Sequence, residues 1–180
     1  MNENKLLNFI QSKKFLIPFF IILILISSLF VTKLSKNANE IKEIDVSTYI
    51  KDNIKNYSYN IDEFYYEDSN IYLKDDIVKI SGWIVKPNIE VKDISIKVVF
   101  QDMVTKRYYQ LPTLMISRNE VTSFVDDGYN HQYSGFSMNV KYDRLDRNTD
   151  YKVYILYSIN GNTYLVDLNS TLKINGERHV

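Results

Sequence analysis

Residues 15–31 (FLIPFFIILILISSLFV) form an unbroken run of 17 without a charge. Extending the run to Leu34 gives 20 residues, about 30 Å of helix and the thickness of a bilayer hydrocarbon core. Leu, Ile and Phe fill every side, so no polar face remains for water. In hydrocarbon each backbone N–H and C=O must pair internally, which dictates a helix despite the many isoleucines. Pro18 fits the first turn if the helix starts near Leu16 or Ile17. Ser27 and Ser28 can bond back to helix carbonyls.

The apolar run exceeds the 7–15 residues of a signal-peptide core, and no small-x-small cleavage site follows it. Before Asn39 the −3 and −1 positions are Lys36 and Ala38, and a lysine at −3 is wrong for cleavage. There is no cysteine for a lipid. A retained signal anchor is expected. Lys5, Lys13 and Lys14 on the amino side nearly balance Lys33, Lys36 and Lys42 on the carboxyl side, so charge alone barely orients the anchor. A 14-residue amino tail left inside, with the long carboxyl part exported, gives the expected topology: single-pass in the plasma membrane, N-terminus in the cytoplasm, C-terminal domain outside.

The 180 residues leave room for one small domain after the anchor. Formal net charge is zero but divided: residues 1–36 carry five lysines against Glu3, leaving 17 basic and 21 acidic side chains beyond. A mildly acidic soluble part argues against nucleic acid as partner. An exported domain without disulfides depends on its core alone. There are 15 tyrosines, and Ala38 is the only alanine. This Asn, Lys, Ile and Tyr bias resembles that of AT-rich Gram-positive bacteria, which implies a domain facing the cell wall. The sequons at Asn56 and Asn169 would matter only in a eukaryote.

The expected organisation is a cytoplasmic tail (1–14), a transmembrane anchor (15–34), a linker with a short helix (35–58), an extracytoplasmic β-domain (59–176) and a tail (177–180). Within the linker, Val46, Tyr49, Ile50, Asn53, Ile54 and Tyr57 fall at helical spacing, and Asp45 or Ser47 stands where a cap belongs. From Ser58 the period changes to two. Expected strands lie at 64–66, 71–73, 77–86, 94–101, 106–111, 136–142, 151–159, 163–167 and 170–174, some of them short enough to merge. Asn160 and Gly161 tolerate positive φ and mark a tight hairpin. No space exists for the crossover helices of a parallel sheet. The fold class is all-β: an antiparallel β-sandwich of about seven strands.

Residues 145–155 (LDRNTDYKVYI) resemble the corner between the fifth and sixth strands of fibronectin type III and immunoglobulin-like domains. The resemblance implies that the Tyr151 hydroxyl bonds backbone upstream, and that Trp83 is a core tryptophan. Ile80-Ser81-Gly82-Trp83, Arg118-Asn119-Glu120-Val121 and Ser134-Gly135-Phe136 are similar to landmarks of sandwiches appended to surface-glycan enzymes. Residues 79–102 resemble FxLYD-type modules of Gram-positive surface proteins. These likenesses imply an Ig-like fold and no particular activity.

No Cys or His spacing for zinc, no phosphate loop and no nucleophile elbow are written in the sequence. No cofactor or metal is therefore expected. The acidic pairs at 62–63, 67–68 and 75–76 read as solvated edges. The strongest candidate surface is residues 123–135 (SFVDDGYNHQYSG), where Tyr129, His131 and Tyr133 stand beside Asp126 and Asp127. Aromatic faces pack on sugar C–H faces while carboxylates and amides bond hydroxyls. The alternative is an ordinary inter-strand connection with packed tyrosines. Function is expected to be binding or scaffolding in the cell envelope, to a partner protein or to cell-wall glycan. Two other classes stay open: an envelope-glycan enzyme using the 123–135 loop, and a structural subunit of a membrane complex.

Overall fold

The computed structural model describes residues 13–67, 77–146 and 149–173. The chain divides into two units, one ending at Glu40 and one beginning at Ile41. The expected strand at 71–73 and both expected tail ends lie outside the described residues.

The first unit holds one helix, α1 (Lys13–Ala38). Its Leu16–Lys33 window has a mean hydropathy of 2.4 and none of it is buried. It is long and apolar enough to cross a membrane. The helix starts earlier than the sequence suggests, so Pro18 is interior rather than in the first turn, and the backbone bond it cannot donate is lost one turn in. Ser27 Oγ donates to Leu23 O at 2.8 Å, and Thr32 Oγ1 to Leu29 O at 2.9 Å. These internal bonds let hydroxyls sit in an apolar helix.

The second unit contains ten strands in chain order: β1 (Lys42–Ile44), β2 (Ile50–Asn53), β3 (Ser58–Glu67), β4 (Ile77–Val85), β5 (Ile94–Asp102), β6 (Tyr108–Gln110), β7 (Thr113–Ile116), β8 (Gly135–Lys141), β9 (Tyr151–Ile159) and β10 (Asn162–Leu172). One short helix, α2 (Asn119–Val125), lies between β7 and β8. One sheet has the order β1-β6-β5-β9-β10-β2 and the other β3-β4-β8-β7. Every pairing is antiparallel except that of β2 with β10.

The expected alternation positions the core. Tyr151, Val153, Ile155, Tyr157 and Ile159 of β9 are buried together with Ile96, Val98 and Phe100 of β5. Val78, Ile80 and Ile84 of β4 and Phe136, Met138 and Val140 of β8 belong to the same cluster. Both sheets thus bury one face in a shared core, and this burial is the main stabilising term. Gly82 of β4 has a steric reason: a Cβ there would stand 2.2 Å from Asn60 O, beside the β3 irregularity between Ile61 and Glu63.

Three expectations need correction. The short helix at 46–57 does not form; the segment is β2 followed by a single 3-10 turn, Ile54–Asn56. Its apolar residues serve two different surfaces. Val46 and Tyr49 pack with Ile44 on the outer face of the six-stranded sheet, against Val99, Leu156 and Leu165. Ile54 and Tyr57 enter the main core. Asp45 caps a turn rather than a helix, accepting from Ser47 N at 2.8 Å. The expected linker therefore belongs to the β-domain from Lys42 onward.

The strand count is ten, not about seven. The 108–116 stretch contributes to both sheets: β6 pairs with β5, and after Pro112 the chain pairs with β8 as β7. Thr113 holds the changeover. Its Oγ1 accepts from Val98 N and donates to Leu111 O, both at 2.9 Å.

Trp83 lies outside the main core. It belongs to a separate cluster with Val85 and Val121, on the face covered by α2. Successive side chains of a strand point to opposite faces, so Trp83 and Ile84 cannot share one core.

Candidate functional site

The 123–135 loop is built outward from α2. Val121 is fully buried against the sheet, and the helix stops at Asp126, whose φ of 48° is left-handed. Arg118 pins the start of α2 through ion pairs to Asp62 and Glu120. The last helical turn presents Phe124, which is 73% exposed and meets Trp83 edge-on at 5.4 Å.

The five candidate residues divide. Asp126 is exposed at the helix end. Asp127 turns inward and accepts from three donors: Asn88 N at 2.6 Å, Tyr129 N at 3.1 Å and His131 Nε2 at 2.8 Å. His131 is 2% exposed, and its backbone N–H donates to Thr122 Oγ1 at 2.9 Å. Burial pushes the Asp127 carboxyl up, but the Asn88 and Tyr129 N–H groups and His131 more than offset it, so its pKa lies below the ordinary value. Asp127 and His131 form an internal clasp that closes the loop and ties it to Asn88. Tyr129 and Tyr133 remain exposed.

Beside this clasp lies a cavity of about 460 Å³, whose lining includes Val91, Ile94, Met115, Tyr133 and Ser134. Ser134 is 1% exposed, and its hydroxyl has no hydrogen-bond partner. Its backbone is engaged on both sides, with N donating to His131 O and O accepting from Ile84 N, each at 3.1 Å. The 87–93 loop forms the facing wall and is held by the β9–β10 turn. Asn160 and Gly161 have φ of 50° and 80°, as the hairpin demands. Asn160 Nδ2 donates to Glu90 O at 2.7 Å, and its Oδ1 accepts from Lys92 N at 2.9 Å. Sequence reading assigned Asn160 a turn and missed this second role. It also missed Ser134 and the 87–93 wall, because their meeting depends on chain far apart in sequence.

A second polar cluster joins the two sheets. Asp52 Oδ2 lies 2.9 Å from Lys86 Nζ and accepts from Tyr57 Oη at 2.9 Å. The Lys86 ammonium sits 3.8 Å from the Tyr164 ring centroid, a cation–π contact. Burial pushes the Asp52 carboxyl up, yet the bonds from Lys86, Asn56, Asn53 N–H and Tyr57 prevail and hold its pKa at about 2. A depressed carboxylate stabilises the fold fully above its unfolded pKa of about 3.9. That contribution is lost as pH falls through about 2. The urea midpoint should therefore drop between those values, and Asp52→Asn should flatten that part of the profile while lowering the plateau at neutral pH.

Tyr151 Oη accepts from Asp146 N at 2.9 Å, five residues upstream. Leu145 beside it is buried. Among the described residues no group of three or more His, Asp or Glu side chains is arranged to hold a metal ion. What the loop and cavity offer chemically is a shaped, mainly apolar recess with exposed tyrosine at its rim. No protein-family model matches the chain, and no curated protein or solved structure matches it.

Proposed function

We propose that this chain is a single-pass membrane protein that presents an Ig-like β-sandwich outside the cell as a binding or scaffold module of the bacterial envelope. The observation that carries the reading is α1, an uncharged span from Leu16 followed by a separate β-rich unit from Ile41. A tethered domain gains effective concentration at the membrane without any catalytic step. The short amino tail favours N-in, C-out. The Tyr151–Asp146 bond supports the Ig-like reading. The parallel β2 edge and the outward Trp83 are departures from the simplest form of it.

The binding surface is the exposed tyrosine rim of the 123–135 loop, facing wall glycan or an envelope partner. A photocrosslinking residue at Tyr133 of the full-length protein in its native membrane should yield a defined adduct. The same residue at Asn139, exposed on β8, should not. Equal adducts from both positions, or turnover of wall polymer by the purified chain, would contradict the proposal.

A further inference from the structure

We infer that the cavity beside Tyr133 binds the acetamido group of an N-acetylated amino sugar. The inference rests on the binding-module reading and names the ligand class for one of its surfaces.

The cavity sets four requirements. Its volume of about 460 Å³ falls within the range of small-ligand sites. Val91, Ile94 and Met115 supply apolar wall, which suits a methyl group. The Ser134 hydroxyl is in the wall, buried and without a partner. Buried hydroxyls are almost always paired, so an acceptor from the occupant completes this one. Tyr133 is 58% exposed at the rim, leaving its ring available to a sugar's C–H face.

Charge narrows the class further. Lys92 and Asp93 adjoin each other at the rim and offset. The Asp127 carboxylate is occupied by three donors. A net ionic ligand therefore finds no complementary field, and a purely apolar one leaves Ser134 unpaired. An acetamido group joins a methyl to a carbonyl acceptor within one neutral plane. Its methyl meets the apolar wall and its carbonyl oxygen accepts from Ser134 Oγ. The attached pyranose lies over Tyr133, with its hydroxyls reaching the Asn130 amide at the rim.

The test is saturation-transfer NMR on the full-length chain in lipid nanodiscs. The probes are a β-linked N-acetylglucosamine trisaccharide and its de-acetylated counterpart. The acetamido methyl protons should take the strongest saturation, and the de-acetylated sugar should fail to compete. Ser134→Ala should weaken binding about fivefold without lowering thermal stability. Tyr133→Ala, a rim substitution that leaves the core intact, should weaken it about tenfold. Equal binding of both sugars, absence of binding, or binding that survives both substitutions would overturn the inference. Failure here alongside a Tyr133 crosslink to an envelope protein would remove the ligand and leave the module. Sugar binding by a domain found on the cytoplasmic side would do the reverse.

Discussion

Asp127→Ala should destabilise the β-domain by about 3 kcal/mol, because removing one member of a buried pair leaves the other without its partner. The substitution strands three donors at once: Asn88 N, Tyr129 N and the His131 ring. His131 cannot turn to water, since it is buried beneath the loop. The loss should appear as a lower urea midpoint with an unchanged slope. Hydrogen exchange should rise first in the 87–93 and 126–134 segments that the clasp joins. A ligand-contacting carboxylate would behave differently. Its removal would abolish binding while leaving the midpoint where it was.

Tyr157→Ala should cost about 4 kcal/mol, the range for emptying a large aromatic site in a core. Tyr157 is fully buried and is among the largest side chains in the domain to be so. It meets Tyr57 edge-on at 5.3 Å, and its oxygen accepts from Lys86 N at 3.3 Å. Burial pushes its hydroxyl up to about 12, so the side chain stays neutral throughout the working pH range. Tyr157→Phe keeps the ring and should cost only about 1 kcal/mol, the worth of one hydrogen bond. The contrast is read from paired denaturant melts. Equal losses for both variants would place the stabilisation in the hydroxyl rather than in packing.

Period-two patterns of β5 and β9 were legible because each strand buries a single face, so Ile96, Val98 and Phe100, and Tyr151 through Ile159, announce themselves. Asn160-Gly161 was legible because few residue pairs accept two positive φ values. The segment 46–57 misled because its apolar residues face two different clusters, and their combined spacing imitates a helix. Only the pairing of β2 with β10, more than a hundred residues away in sequence, resolves it. Helix α2 escaped notice because seven residues make barely two turns, and only Val121 and Val125 carry its periodicity.

The candidate loop was legible as a place but not in its division of labour. Alternation of Tyr129, His131 and Tyr133 suggests one aromatic face. Asp127 instead draws His131 inward and leaves the tyrosines outside. Nothing in residues 123–135 alone says which carboxylate turns in. That depends on Asn88 N, presented by a different loop.

The central claim is an anchored domain outside the membrane, and the sequence supplies a clean means to test it. With no native cysteine, a single introduced thiol is the only one present. Full-length chains carrying Asn8→Cys or Asn139→Cys would be exposed to a membrane-impermeant maleimide on intact cells, then again after permeabilisation. The account predicts that Asn139→Cys labels on intact cells, that Asn8→Cys labels only after permeabilisation, and that both stay with the membrane. Labelling in the opposite order, or a β-domain released into the medium, would contradict it.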